Sequence, residues 1–494
     1  MITLTNNTPA QQLIKRSRAN LAARSHDADL YLYWAGLLAS QPSADARLEA
    51  RTLLLHALNM NLATTDAWLL LARLLNHDGC SSAACTAYQA FLTHHPQHAS
   101  AHIELAHRLL DAQLPTDAIQ HYHTALNLIS PLGESMKFAS AHQGLSAAYD
   151  QLNESKQADY HRQIGFSVQA ILPLGSTNPV AKPVLILMSA WNGNLPWRRL
   201  IDTLHFNATV VCIEYLPEST VLPTNTLIFN AIGDADLCLF GLQRAHTLLD
   251  QAGMSAINHP REVLLTGRQH NAERLARIAN VRCAAIHLLR RDQLHTGALP
   301  MDLRENAWLL RALGFHSGEH FIRIDAIERI PQALAMLPGE EWLCMPFIDT
   351  CDTQGRYRKY RVMCIGDRLY PLHMAASHHW KVHYFSADAN DDPDMQAAEV
   401  QFLTQFEQAL LPKSIHALQE IQHMMGLDYC GIDFTIDRDG SLVIFEANAT
   451  MTINPPDQQS GQEARWQATQ TALHAMDDLL KTTSAHISTL RHLS

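Results

Sequence analysis

The sequence predicts a multidomain chain in which an all-α solenoid of paired helices is followed by an α/β domain and then an α+β domain. Three observations predict it. Small and aromatic residues recur every 34 residues in the first third. Past a proline-bearing segment the pattern changes to short apolar strands alternating with helical stretches. Near the carboxyl end, GLDYCGIDFTIDRDGSLVIFEANATM, Gly426 to Met451, sets carboxylates on apolar strands with no basic residue beside them.

A chain of 494 residues suggests about three domains. Hydrophobic content of 47% and charged content of 17% are those of a globular protein. A formal net charge of -11, with no run of Lys and Arg, argues against a nucleic-acid partner. Nine cysteines, scattered and without a CxxC pair, point to reduced thiols. The amino terminus lacks an apolar signal-peptide core, and no run approaches transmembrane length. The expectation is a soluble cytoplasmic protein with no membrane partner.

After an extension over residues 1–25, helical repeats are expected over 26–170. Ala50, Ala84 and Ala118 are evenly spaced; Trp34 and Trp68, and Tyr88 and Tyr122, keep the same step. Such a period signals antiparallel helix pairs in which small residues let neighbours approach. It resembles the tetratricopeptide (TPR) pattern, clearest from Thr65 to His98 and interrupted near Pro131 and Gly133. The first helices of such repeats line a concave face, here including Arg73, Asn76, His107 and Asp111. That face suits a peptide or protein partner; the alternative is a structural or dimerising appendage, and a homo-oligomer is the third partner expectation.

The linker 171–183, ILPLGSTNPVAKP, separates this region from an α/β domain over 184–280. Its strands are expected at Val184 to Ser189, Thr209 to Tyr215 and Leu227 to Ile232, parallel and joined by helical segments. The loop after the first strand, with Asn192, Gly193 and Asn194, lies where open parallel sheets bind ligands. A plain turn is an equal reading.

The following domain, 281–460, carries the carboxylate hairpin, and a terminal helix occupies 461–494. Tyr429 to Ile436 and Ser441 to Ala447 flank the turn Asp437-Arg438-Asp439-Gly440. If Ile436 pairs with Ser441, Asp433 faces Ile444, and alternation puts Asp433, Glu446 and Asn448 on one face. Ile432, Phe434, Phe445 and Ala447 then form the core face. Two carboxylates and an amide at cross-strand spacing repel unless a cation lies between them, and all-oxygen ligation selects Mg²⁺ or Mn²⁺. The other reading is a solvated hairpin, against which stands the absence of Lys, Thr or Arg near its end.

GIDF, a turn, then LVIFEANATM resembles the metal-binding end of the ATP-grasp superfamily of carboxylate–amine ligases. That resemblance implies Asp433, Glu446 and Asn448 as ligands of Mg²⁺ on ATP, and residues 184–280 as the domain that precedes the nucleotide fold in that superfamily. It also implies further site residues. In INHPREVLLTGR, Arg268 stands where the family has a basic residue reaching the nucleotide. Trp308 to Leu313, a loop with Gly314 and Gly318, and His320 to Ile324 read as strand, loop, strand, with Arg311 in place of the phosphate-binding lysine. EWLCMPFID resembles the strand meeting adenine, nearest through Met345, Pro346 and Phe347. Tyr357 to Ser377 reads as two strands joined at Gly366-Asp367, with Lys359 and Arg361 sharing a face, and Arg361 matches an arginine aimed at the γ-phosphate. Ser377 to Phe385 is expected to continue as a strand, with His383 or His379 as general base.

The implied function is an ATP-dependent ligase that joins a carboxylate to an amine, or another nucleophile, through an acyl-phosphate, on a peptide or protein recruited by the repeats. The alternative is a non-catalytic, nucleotide-binding TPR scaffold. Arginine at both expected lysine positions, the thinned glycine loop and Met451 where the family often has proline keep that alternative open, while the intact Asp433, Glu446 and Asn448 argue for the ligase.

Overall fold

The computed structural model describes residues 27–490 except 42, 61–64, 131–132, 175–177, 179, 203–204, 224–225, 305–306, 314–317, 319, 383–391 and 457–461. Gly314 and His383 lie outside the described residues. The chain falls into two compact units, Met1–Pro179 and Val180–Ser494. The expected divisions at 280/281 and 460/461 fall inside the second.

The first unit is built of helix hairpins. They are α1 (Ala28–Ala39) with α2 (Ala44–Asn59), α3 (Asp66–His77) with α4 (Ser81–His94), α5 (Ala99–Asp111) with α6 (Pro115–Leu128), and α7 (Ser135–Gln151) with α8 (Ser155–Val168). The chain reverses within each of the last three pairs at one left-handed residue: Gly79, Gln113 and Asn153, with φ of 77°, 60° and 58°. At each turn the next N–H reaches back five residues, Cys80 to Leu75, Leu114 to Leu109 and Glu154 to Tyr149, so carbonyls left open at the helix end are satisfied. Ala84, Ala118 and Ala158 are fully buried, which is why the repeat keeps alanine there. On the face expected to be concave, Arg73 is already paired with Glu104 at 2.7 Å.

The second unit begins with three parallel strands, β1 (Lys182–Met188), β2 (Phe206–Cys212) and β3 (Leu227–Asn230), with β1 between the other two. Helical crossovers were expected between them. Among the described residues the connections hold only single 3₁₀ turns, Trp197–Arg199 and Ile213–Tyr215, and the first helix, α9 (Leu239–Ala252), comes after β3. Pro196 and Pro217 interrupt the two connections.

A second sheet has four antiparallel strands in the order β5 (His287–Arg290), β8 (Glu341–Pro346), β6 (Trp308–Ala312), β7 (Phe321–Ile324). A third has five, in the order β10 (Arg368–Ser377), β9 (Tyr357–Ile365), β11 (Tyr429–Ile436), β12 (Leu442–Asn448), β4 (Val281–Cys283). One face of this third sheet presents Cys364, Cys430, Ile432 and Phe434 to a core shared with Phe402, Leu418, Ile421 and Met425. The last four lie on α12 (Pro393–Thr404) and α13 (Pro412–Met425), whose apolar stripes point at the sheet. Among the described residues the remaining helices of seven or more residues are α10 (Arg268–Leu275) and α11 (Ile330–Met336), between α9 and α12, and the long carboxyl-terminal α14 (Glu463–Leu490). Among the described residues no helix is long and apolar enough to cross a membrane.

The β11–β12 hairpin departs from the expected register. Asp437 N–H donates to Ser441 O at 2.8 Å, closing a three-residue loop that ends on Gly440 at φ 81°. Ile436 therefore pairs with Leu442, one residue later than expected. Continued regularly, that register would place Phe445 opposite Asp433 and turn Glu446 toward the core. A bulge between Asp433 and Phe434 absorbs the extra residue, so Asp433 pairs with Glu446, not Ile444, and Gly431 with Asn448. Phe445 was expected in the core; the bulge leaves it 49% exposed. Beyond β10 the strand expected to run to Phe385 stops at Ser377, and residues 378–381 bend.

Candidate functional site

The face of the third sheet opposite its core forms one wall of a cavity of about 580 Å³. Alternation along β9 sends Tyr360, Val362 and Cys364 inward and Lys359 and Arg361 into the cavity. On β11 the same rule delivers Asp433 between the buried Ile432 and Phe434. The β12 bulge adds Glu446 and Asn448. The opposite wall comes from the second sheet: Arg311 on β6, Met345 and Pro346 on β8, and Phe347 just after it. Arg268 at the start of α10 and Gly318 also line it. These residues assigned to the site from sequence thus border one space, whereas His379, the other candidate general base, and Asn192 are not among its lining residues.

Asp433 is fully buried. Arg361 grips it with two bonds, Nε to Oδ1 at 2.6 Å and Nη2 to Oδ2 at 2.8 Å, and Lys359 Nζ lies 2.5 Å from Oδ2. Burial alone would raise its pKa, but the charges of Lys359 and Arg361 win and hold the carboxyl well below its usual range. Arg361 is held above its ordinary value: burial works against its charge, and Asp433 outweighs burial. Arg311 is shifted down by burial, with Glu446 opposing.

Glu446 is differently placed. Its Oε1 is buried and accepts no hydrogen bond, with Arg268 Nη2 at 3.7 Å. Asn448 Oδ1 accepts from Thr450 N–H at 3.0 Å and Thr450 Oγ1 at 2.9 Å, which fixes the turn after β12. That turn is tight. A Cβ on Gly431 would come within 2.6 Å of Met451 Cβ, and Tyr429 Oη donates to Met451 O at 2.8 Å. Met451 is thus seated on the bare backbone of the GIDF glycine.

The charge lining the cavity opposes that of the chain. Among the described residues seven basic side chains face four carboxylates there, the basic ones including Arg358, Lys381 and Arg465 besides those already named, while the whole chain carries -11. A net positive, partly apolar chamber suits a polyanion with a flat apolar end. The fit to a divalent ion follows from the same donor set. Both oxygens of Asp433 and the oxygen of Asn448 already accept bonds, and only Glu446 offers an uncommitted oxygen. Among the described residues no three His, Cys, Asp or Glu side chains form a metal-binding group. Asp433, Glu446 and Asn448 therefore fit a cation that arrives with phosphates, which would draw Lys359 and Arg361 off the carboxylate, and not a bare ion.

Several lining residues had no place in the sequence reading. Asp234 and Asp236 follow β3, and Arg268 ties them in, Nη1 to Asp236 Oδ2 at 3.2 Å and Nη2 to Asp234 Oδ2 at 3.8 Å. The rule that ligands gather beyond the carboxyl ends of parallel strands points to this loop as well as to the one after β1. Of that earlier loop, Gly193 and Asn194 do border the cavity. Asn258, of the INHP segment, is a structural clip: its Nδ2 donates to Tyr429 O and its Oδ1 accepts from Tyr429 N–H, at 2.7 and 2.8 Å. His373, buried on β10, faces the cavity, and burial followed by the Arg361 charge holds it neutral, well below its usual pKa. Arg465, on α14, pairs with Glu399 at 2.7 Å and still reaches the wall. No local pattern announces either residue.

No protein-family model matches the chain, and no curated protein does. Among solved structures, the D-alanine-D-alanine ligase from Coxiella burnetii is similar over 63% of this chain and 98% of its own, at 10% identity and a TM-score of 0.38. The VanG D-Ala:D-Ser ligase from Enterococcus faecalis is similar over 62% of this chain and 99% of its own, at 11% identity and a TM-score of 0.37. YrrB, a TPR protein with an unusual peptide-binding site, is similar over 32% of this chain and 78% of its own, at 13% identity and a TM-score of 0.29.

Proposed function

We propose that the second unit is an ATP-grasp ligase that uses ATP to join a carboxylate to an amine through an acyl-phosphate. The observation that carries this reading is the cationic chamber in an acidic chain, with the buried Asp433–Arg361–Lys359 cluster on its floor. Arg268 and Arg311 are placed to hold phosphates, and Met345, Pro346 and Phe347 to take the flat face and edge of the base. Lys359 and Arg361 then balance charge on the phosphoryl group as a substrate carboxylate oxygen bonds to phosphorus and ADP leaves. In the second step the amine nitrogen attacks the acyl carbon, phosphate departs and the amine loses a proton. His383 is the proposed acceptor of that proton. A divalent ion on Asp433, Glu446 and Asn448, when bound, neutralises phosphate oxygens. The helical unit is proposed to hold the peptide or protein substrate.

The test is ADP release from MgATP with pooled peptides, wild type against Glu446→Ala. Turnover lost in the variant, with ATP affinity changed by less than about tenfold, supports the ligase. One observation favours a second reading: both oxygens of Asp433 are committed to cations, as in a scaffold that binds nucleotide without turning it over. Tight ATP binding with no ADP release on any pool would establish that reading instead.

A further inference from the structure

The first unit holds a feature that nucleotide chemistry does not use. One position of the repeat carries Trp34, Trp68, His102 and His142 in successive hairpins, on helices α1, α3, α5 and α7. Its partner on the second helix of each hairpin is Leu53, Ala87, His121 and His161. The first two hairpins therefore fill the site with an indole and an aliphatic side chain. The last two fill it with paired imidazoles.

Both histidine pairs have the same geometry, Nδ1 to Nδ1 at 2.8 Å. His102, His142 and His161 are each more than nine-tenths buried. His102 Nε2 lies 2.9 Å from Pro96 O, a carbonyl that can only accept. That fixes His102 as the Nε2–H tautomer, so its Nδ1 accepts and His121 Nδ1–H donates. Protonating both rings of a pair places two positive charges across one hydrogen bond.

Few anionic groups surround the pairs. Asp117 on α6 favours a charged His121 in the first pair, and His98 caps α5 four residues before His102. Facing the second are His123 from α6, Tyr149 from α7 and Tyr160 from α8, with the Arg162–Asp150 ion pair beside it. The Tyr149 ring stacks on His161 at 5.5 Å, and Phe138 packs on His142 at 4.5 Å.

We propose that these pairs form a proton-operated latch confined to the last two hairpins, residues 99–168. Mild acid opens that half of the solenoid while the tryptophan-filled half stays closed. The direction follows from linkage. Burial, then His102, lowers the His121 pKa, and burial, then His123, lowers that of His142. His161 is pushed down to about 4 by burial and then by His142 and His123. A base whose folded pKa is depressed contributes its full stability above the unfolded value near 6.5, and loses it as pH falls from there toward about 4. At pH about 5, His161 alone lowers the closed-to-open ratio roughly thirtyfold.

The test is hydrogen exchange of the full chain at pH about 7.5 and about 5, read as protection factors for each hairpin. In the wild type, residues 99–168 lose at least about tenfold more protection than residues 28–94. Installing the second hairpin's own pair, as H102W/H121A with H142W/H161A, removes that difference. If these variants fail to fold, H161Q keeps a hydrogen-bonding side chain without the titration and reduces the loss. An equal loss in both halves of the wild type, or an unchanged loss in either variant, overturns the proposal.

Discussion

Replacing Asp433 with asparagine keeps the shape of the side chain and removes its charge. Arg361 and Lys359 then lose the carboxylate that both contact, Arg361 at 2.6 and 2.8 Å and Lys359 at 2.5 Å, while their guanidinium and ammonium remain mostly enclosed. A unit-charge pair about 4 Å apart at an effective dielectric of about 20 is worth about 4 kcal/mol. Removing one member of a buried pair costs about 3–5 kcal/mol. The two figures agree, so Asp433→Asn is expected to lower the stability of the second unit by about that amount in the absence of nucleotide. A polyanion should restore what the carboxylate supplied. At one fixed ATP concentration in EDTA the variant should therefore bind ATP more tightly and gain more than the wild type, for which nucleotide at about 100 times its dissociation constant adds about 2.7 kcal/mol. The assay is urea denaturation followed by tryptophan fluorescence, with and without ATP. A variant as stable as wild type without ligand would refute the view that these three side chains form one buried unit. Equal ATP stabilisation of both proteins would refute the claim that they form an anion site.

The acid limb of the same unit carries a sign. Asp433 has a folded pKa held well below its ordinary 3.8, so its contribution is full above that value, begins to be lost as pH falls below it and is gone only below the folded pKa; the gap in urea midpoint between wild type and Asp433→Asn should narrow from pH 5 to about 3 without closing. Gly431→Ala drives a methyl group into Met451, whose Cβ lies 2.6 Å from the new atom, at a cost of about 1–3 kcal/mol. Thermal denaturation should show that loss, and shortening the neighbour in Gly431→Ala/Met451→Ala should return part of it. Gln113 sits at φ 60° in the turn after α5, so Gln113→Gly is expected to stabilise the helical unit by up to about 1 kcal/mol, measured as a raised midpoint by circular dichroism.

Much of the hairpin was legible because strand side chains alternate. Asp433, Glu446 and Asn448 do line one wall, although a regular period of two from the observed turn would have turned Glu446 inward. The pairing behind it was read wrongly. The turn closes one residue later than its Asp-Arg-Asp-Gly chemistry suggested, and a bulge corrects the slip, so Glu446 reaches the cavity and Phe445 reaches solvent. A bulge has no composition of its own, since it is set by what the facing strand can pair with. Strand ends were less legible still: Lys381, read as part of a strand bearing histidines, lies in a bend and borders the cavity.

The sequence by itself determined that paired helices repeat through the first unit, that apolar strands follow, and where most of the apolar faces lie. Those properties are local, carried by residues within one or two turns of each other. Only the tertiary structure decided that Arg361 grips an aspartate 72 positions away. The same is true of Arg465 on the last helix bordering the same chamber, and of the histidines 19 positions apart that share a hydrogen bond. These contacts arise where separate elements are brought together by burying their apolar faces, and side-chain charge enters them only after that packing has fixed the distances.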